Sequence, residues 1–225
     1  MKNKTILTML AIIMLLASCA TPKTRGEQYA QLYEEKPLTI VIMPPINQTN
    51  AVEAKDYFYT TLYTPLCEKG YYVFSPYLTM EFFQSESAYD SEMFLEQPLG
   101  TFKTALNADA AMFTIIKSWK KIGITSTITV DVEYILRSTT TGNTLYHREG
   151  IIKLDTSVNA GGGLIGSIVS LAASAINTAM TDKVVAGRKC NYFVLSDMPV
   201  GKYHPEFGKD SEAAAGEKVV RATVK

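Results

Sequence analysis

The chain has 225 residues, 22 basic and 22 acidic side chains, and 47% hydrophobic residues. That balance leaves no positive excess to gather phosphates, so composition argues against nucleic-acid partners. The length suits one domain whose core needs neither a metal nor a disulfide.

The start, Met1-Lys2-Asn3-Lys4, is positive; residues 6–16 form an apolar run, and Ala17-Ser18-Cys19 supplies small residues. These are the three parts of a secretory signal, read here as residues 1–18. The run is shorter than the roughly 20 apolar residues of a transmembrane helix. Leu16-Ala17-Ser18-Cys19 resembles the lipobox of bacterial lipoproteins. That resemblance implies cleavage between Ser18 and Cys19, diacylglycerol on the Cys19 thiol and acylation of its new amino group. The alternative is an ordinary cleaved signal with an incidental cysteine, and the motif's position behind the apolar run counts against it. Cleavage removes Lys2 and Lys4 and leaves a net charge of −2. Ala20 stands where enterobacterial lipoproteins kept at the inner membrane carry aspartate, which by analogy favours the outer membrane. Residues 19–37 are polar, with Pro22, Gly26 and Pro37, and read as a lipidated tether. Residues 28–35 have the length of a short helix.

Residues 38–43, a β-branched run closed by Pro44-Pro45, predict a buried strand. Asn50 followed by Glu53 resembles a capping box, and Phe58, Leu62 and Leu66 recur at helical spacing behind it. Pro65 predicts a kink or break, and Gly70 a stop. Residues 71–74 then give a second strand, parallel to the first through a right-handed βαβ unit. Residues 77–84 and 98–107 read as further helical turns, around a polar excursion at 85–96. Residues 124–136 follow period two: Ile124, Ser126, Ile128, Val130, Val132, Tyr134 and Leu136 fall on one face, and Thr125, Thr127, Thr129, Asp131, Glu133 and Arg137 mostly fill the other. With strands at 111–120 and 144–154, this predicts a three-stranded antiparallel meander. The fold class is therefore α/β (α+β): a mixed sheet with an N-terminal βαβ unit, the meander and C-terminal helices.

Residues 160–180 carry no charge and open on Gly161-Gly162-Gly163. Gly162, Gly166, Ser170, Ser174 and Thr178 lie four apart, a small-residue stripe suited to close helix packing or an oligomer contact. Residues 182–197 continue as helix, with Ala186, Cys190 and Phe193 on one stripe. Residues 199–208 are turn-rich, and 209–225, charged and alanine-rich, read as a loose tail. The single domain is thus expected over residues 38–208.

Four further segments carry a family resemblance: Ile42-Met43-Pro44-Pro45-Ile46-Asn47; Pro65-Leu66 with Gly70-Tyr71-Tyr72-Val73-Phe74; Asn107-Ala108-Asp109-Ala110 leading towards Trp119; and Pro199-Val200-Gly201-Lys202-Tyr203-His204-Pro205. In this order, behind a lipobox, they resemble the outer-membrane lipoproteins typified by a meningococcal genome-derived antigen. The resemblance implies a mixed α/β fold similar to the amino-terminal domain of TolB, and neighbourhood with lipoproteins of the curli-secretion-pore type. The family supplies no catalytic residues.

The chemistry-bearing residues are sparse. His147 falls in a strand and His204 in a turn, and no Cys/His/Asp/Glu spacing matches a metal site. Cys67 and Cys190 admit a disulfide in an oxidising compartment, or two apolar buried thiols. The Gly161–Gly163 run with Gly166 lacks the Gly-Lys-Ser/Thr ending of a phosphate loop. Asp131 and Glu133 share a polar strand face with no pocket in view. The expectation is a non-enzymatic, periplasm-facing outer-membrane lipoprotein without cofactor. It would reach the membrane through lipid on Cys19 and assemble with itself or with other envelope lipoproteins. The alternative is a carrier for a lipid or cell-wall fragment.

Overall fold

The computed structural model describes residues 22–86, 89–121, 127–155 and 178–224. Two short helices come first, α1 (Arg25–Gln28) and α2 (Ala30–Glu35). They are followed by β1 (Thr39–Ile42), β2 (Ile46–Asn47), α3 (Ala54–Glu68), β3 (Tyr72–Val73) and α4 (Pro76–Ser85). A 3-10 turn (Ser91–Phe94) and α5 (Gly100–Leu106) lead into β4 (Ala110–Lys121), β5 (Thr127–Ser138) and β6 (Thr144–Asp155). Helix α6 (Thr178–Leu195) and strand β7 (Val219–Val224) complete the order.

The strands form one mixed sheet in the order β3-β1-β4-β5-β6-β7, with β2 paired to β4. Strand β1 runs parallel to β3, as the βαβ pattern predicts, and on its other side to β4; β4, β5 and β6 make the antiparallel meander. The period-two reading of β5 holds residue by residue: every even position from Ile128 to Ser138 is buried. That face receives α2, α3 and α6, with Phe58, Leu62, Leu66, Ala186, Cys190 and Val194 in one core. A second core on the opposite face joins Val41, Met43, Ala111 and Phe113 to Phe83, Leu99 and Phe102. Strand β1 is therefore buried on both faces, which its unbroken apolar run anticipates.

Several local expectations are corrected. Asn50 does not open a capping box: Glu53 holds the N-cap position of α3 without a side-chain bond. Asn47 shapes the turn instead, donating Nδ2 to the Ala51 carbonyl at 2.8 Å and accepting the Thr49 N–H at 3.1 Å. A true capping box sits earlier, where Thr24 and Glu27 bond each other's backbone N–H. Pro65 does not break α3, which runs on to Glu68. Pro65 removes one donor, the N–H that would reach the Thr61 carbonyl, but its own carbonyl still accepts the Lys69 N–H at 3.1 Å, so the turn after it closes.

The largest correction concerns the two ends. Of the expected tether at 19–37, the described residues 22–37 are not simply a tether, because α1 and α2 dock on the domain through buried Tyr29 and Leu32. The expected loose tail at 209–225 is ordered over its described residues, 209–224. Strand β7 pairs in parallel with β6, burying Val220. Gly150 makes this possible, since a Cβ there would stand 2.0 Å from the Val220 carbonyl oxygen. The folded unit thus extends on both sides of the expected 38–208.

Candidate functional site

The site the structure builds is a seam between the segment just behind Cys19 and the segment that follows α6. Its backbone bonds are short: Arg25 N–H to Ala213, Gly26 N–H to Ser211 and Ala215 N–H to Lys23, each 2.8 Å to the carbonyl oxygen. Asp197, nearly buried, sits at the centre. Its Oδ2 accepts the Tyr29 hydroxyl at 2.5 Å, and its Oδ1 accepts the Gly216 N–H at 2.8 Å. The Arg25 guanidinium lies 3.5 Å from Asp197 and 3.5 Å from Asp210. Burial, then the Asp197 hydrogen bond, push the Tyr29 hydroxyl above the ordinary range, so it stays protonated as a donor.

The same seam closes the C-terminal end of α6, where helix carbonyls lack intrahelical partners. Tyr146 donates its hydroxyl to the Val194 carbonyl at 2.6 Å. Arg148 reaches the Phe193 and Val194 carbonyls at 3.1 and 2.9 Å. Lys69 Nζ donates to the Ser196 carbonyl at 2.8 Å, beside an Arg25 contact at 3.3 Å. Cations at a helix C-terminus also oppose its negative pole. Burial, then the nearby Arg25 charge, push the Lys69 amine down to about 8. Lys69 borders a groove of about 480 Å³ with Arg25, Glu68, Tyr192, His204 and Glu206. An amine lowered in this way suits chemistry at a carbonyl, but here its hydrogen bond gives it a capping task.

The sequence-derived candidates fare unevenly. Ser18, Cys19, Gly162, Gly166, Ser170 and Ser174 lie outside the described residues, and Thr178 is the first residue of α6. Cys67 and Cys190 are both free thiols. Cys190 is buried beneath Tyr134, and burial pushes its thiol up to about 12. Among the described residues, no group of three or more His, Cys, Asp or Glu side chains is placed to hold a metal. Also among them, no helix is long and apolar enough to cross a membrane. His147 accepts or donates across strands to Glu133 at 2.9 Å. Glu133 in turn pairs with Lys117 at 2.8 Å, and Lys117 also pairs with Glu149 at 2.5 Å. Burial works against the Glu133 charge, but Lys117 and His147 outweigh it and hold the carboxyl below its usual range. Asp131 takes no part in that network. His204 is a turn residue whose Nδ1 accepts the Glu206 N–H at 3.1 Å.

Two features escaped the sequence. Asn191, buried, accepts the Tyr134 hydroxyl at 2.5 Å and donates to Phe58 O and Thr61 Oγ1 at 3.2 and 2.9 Å, tying α6 to β5 and α3. The Arg25–Asp197–Asp210 cluster had no local signal, because its members stand far apart in the chain. The Thr24-x-x-Glu27 spacing at its edge is the one signal that could have pointed to it.

An α/β domain with a docked segment directly behind a sequence that resembles a lipobox points, as a class, to lipoproteins. Residues 27–199 match the family model described as "Putative lipoprotein GNA1162-like", and the chain belongs to that family, the one its motifs resemble. It is 25% identical over 182 residues to "Putative lipoprotein NMB1124/NMB1162" of Neisseria meningitidis serogroup B, covering 80% of this chain and 84% of that protein. The crystal structure of lipoprotein GNA1162 from Neisseria meningitidis matches at 23% identity and a TM-score of 0.48, over 61% of this chain and 96% of that one. A PelC dodecamer from Paraburkholderia phytofirmans matches at 16% identity and a TM-score of 0.33, over 68% of this chain and 88% of that one.

Proposed function

We propose that the chain is a lipid-anchored, periplasm-facing lipoprotein of the outer membrane that works as a non-enzymatic interaction and assembly module. The observation that carries this reading is membership of a lipoprotein family by a chain whose Leu16-Ala17-Ser18-Cys19 resembles a lipobox. The seam supports it. Only three residues separate Cys19 from Lys23, whose carbonyl is already hydrogen-bonded to the domain, so the lipid would hold the fold close to the bilayer. The partners in this reading are further copies of the chain or other envelope lipoproteins, with the stripe from Gly162 to Thr178 as a packing contact. Replacing Cys19 by Ser should abolish incorporation of labelled palmitate and release a folded protein from the membrane. A Cys19→Ser chain that still floats with membranes, or is still labelled, would refute the anchor. Crosslinking followed by purification from native membranes should recover a second copy or another lipoprotein.

A second reading, a carrier for a lipid or cell-wall fragment, is favoured by the groove at Lys69, whose volume falls in the range of small-ligand sites. Native mass spectrometry after gentle extraction separates the two, since only the carrier retains a stoichiometric ligand.

A further inference from the structure

The motif Pro199-Val200-Gly201-Lys202-Tyr203-His204-Pro205 opens a braced loop. The Val200 N–H donates to Asp210 Oδ2 at 3.0 Å and closes the loop's base. The His204 N–H donates to the Gly201 carbonyl and the Phe207 N–H to the His204 carbonyl, each at 3.0 Å. Gly201 presses so closely on Gly70 that a Cβ would meet its carbonyl oxygen at 2.5 Å. A loop held this firmly has the means to bury its aromatic rings, yet Tyr203 is 64% and Phe207 36% exposed. Lys202 and Lys209 are exposed beside them, with Glu206 at 3.9 Å from Lys209 as the opposing charge. The base of the loop adjoins the seam, because Asp210 also pairs with Arg25. Arg25 follows Cys19 by six residues, a reach of at most about 20 Å for extended chain.

We propose that the loop 201–209 is a second membrane contact, which lays Tyr203 and Phe207 into the headgroup region beside the lipid on Cys19. The chemistry fits: a tyrosine ring with a polar tip is at home at the membrane–water boundary, and lysines favour anionic headgroups. The acyl chains hold the protein; the loop sets which way the domain faces. This rests on the lipid anchor proposed above.

The test uses the full-length lipidated chain in vesicles, with Trp119 replaced by Phe and a single tryptophan introduced. Three versions are compared: Tyr203→Trp, Phe207→Trp and Val52→Trp. Val52 is exposed and precedes α3, whereas the loop packs on Gly70 just past its other end. A helix of that length separates the two by about 20 Å. Vesicle lipids brominated near the headgroup should quench Tyr203→Trp and Phe207→Trp several-fold more than Val52→Trp. Equal quenching at all three positions in chains that float with vesicles overturns the loop contact and leaves the anchor standing. Shielding of the loop tryptophans from both bromolipid and aqueous acrylamide also overturns it, by showing a protein partner instead. Chains that fail to float refute the anchor, and the loop contact with it.

Discussion

At the residue scale, the seam depends more on one buried carboxylate than on its several surface charges. Exposed ion pairs such as Lys209–Glu206, 3.9 Å apart, contribute about 0–1 kcal/mol. Removing a buried acceptor costs about 1–3 kcal/mol for each donor left unpaired. Asp197 accepts from both Tyr29 and Gly216, and Arg25 adjoins it. Asp197→Ala should therefore destabilise the protein by about 2–4 kcal/mol in urea unfolding, whereas Glu206→Ala should cost well under 1 kcal/mol. Comparable losses would show that Asp197 is not the fastening point. Cys190 gives a second residue-scale expectation. With its thiol raised by burial, it should resist alkylation near neutral pH until the protein unfolds, and no Cys67–Cys190 bridge should appear on non-reducing electrophoresis.

At the scale of elements, β7 and the β1–β4 junction make separable predictions. Gly150→Val would drive a side chain into the Val220 carbonyl, so β7 should detach while the meander persists. Limited proteolysis should then cut after α6 in the variant and not in the parent, and stability should fall by about 1–3 kcal/mol. Asp109 joins β1 to β4 by accepting the Leu38 and Thr39 N–H groups at 2.9 and 3.0 Å and pairing with Lys103 at 2.6 Å. Burial pushes its carboxyl up, but the Lys103 and backbone hydrogen bonds outweigh this and hold it below the ordinary range. A depressed carboxyl pKa contributes stability above the unfolded value of about 4, and that contribution is lost as pH falls through the folded value. Asp109→Asn should be less stable at neutral pH and should show a shallower acid-induced loss than the parent. A parallel acid limb would assign the pH dependence elsewhere.

At the scale of the whole molecule, the sheet was largely legible and the seam was not. The period-two pattern of residues 128–136 placed β5 and its buried face because each residue reports its own burial. The motifs of the family gain physical content in pairs. Asp109 reaches the strand before Met43-Pro44-Pro45, and Gly70 meets Gly201 where both backbones must approach within a side chain's width. What escaped were interactions across long sequence separations: Arg25 with Asp197 and Asp210, Gly150 with Val220, Asn191 with Thr61. Residues 209–224 read as a tail because alanines and charges mask the alternation that β7 uses on an edge with one inward face.

The seam also imposes an order of events on biogenesis. Residues 23–29 bond to partners at 196–216, so the seam beside Cys19 closes only after most of the chain has been made. Contacts of such long sequence separation form late and slowly. Under the anchor proposed above, enzymes that modify Cys19 would act while the seam is still open. Closure of the seam afterwards would mark the moment when a newly made molecule changes from a processing substrate into a finished protein.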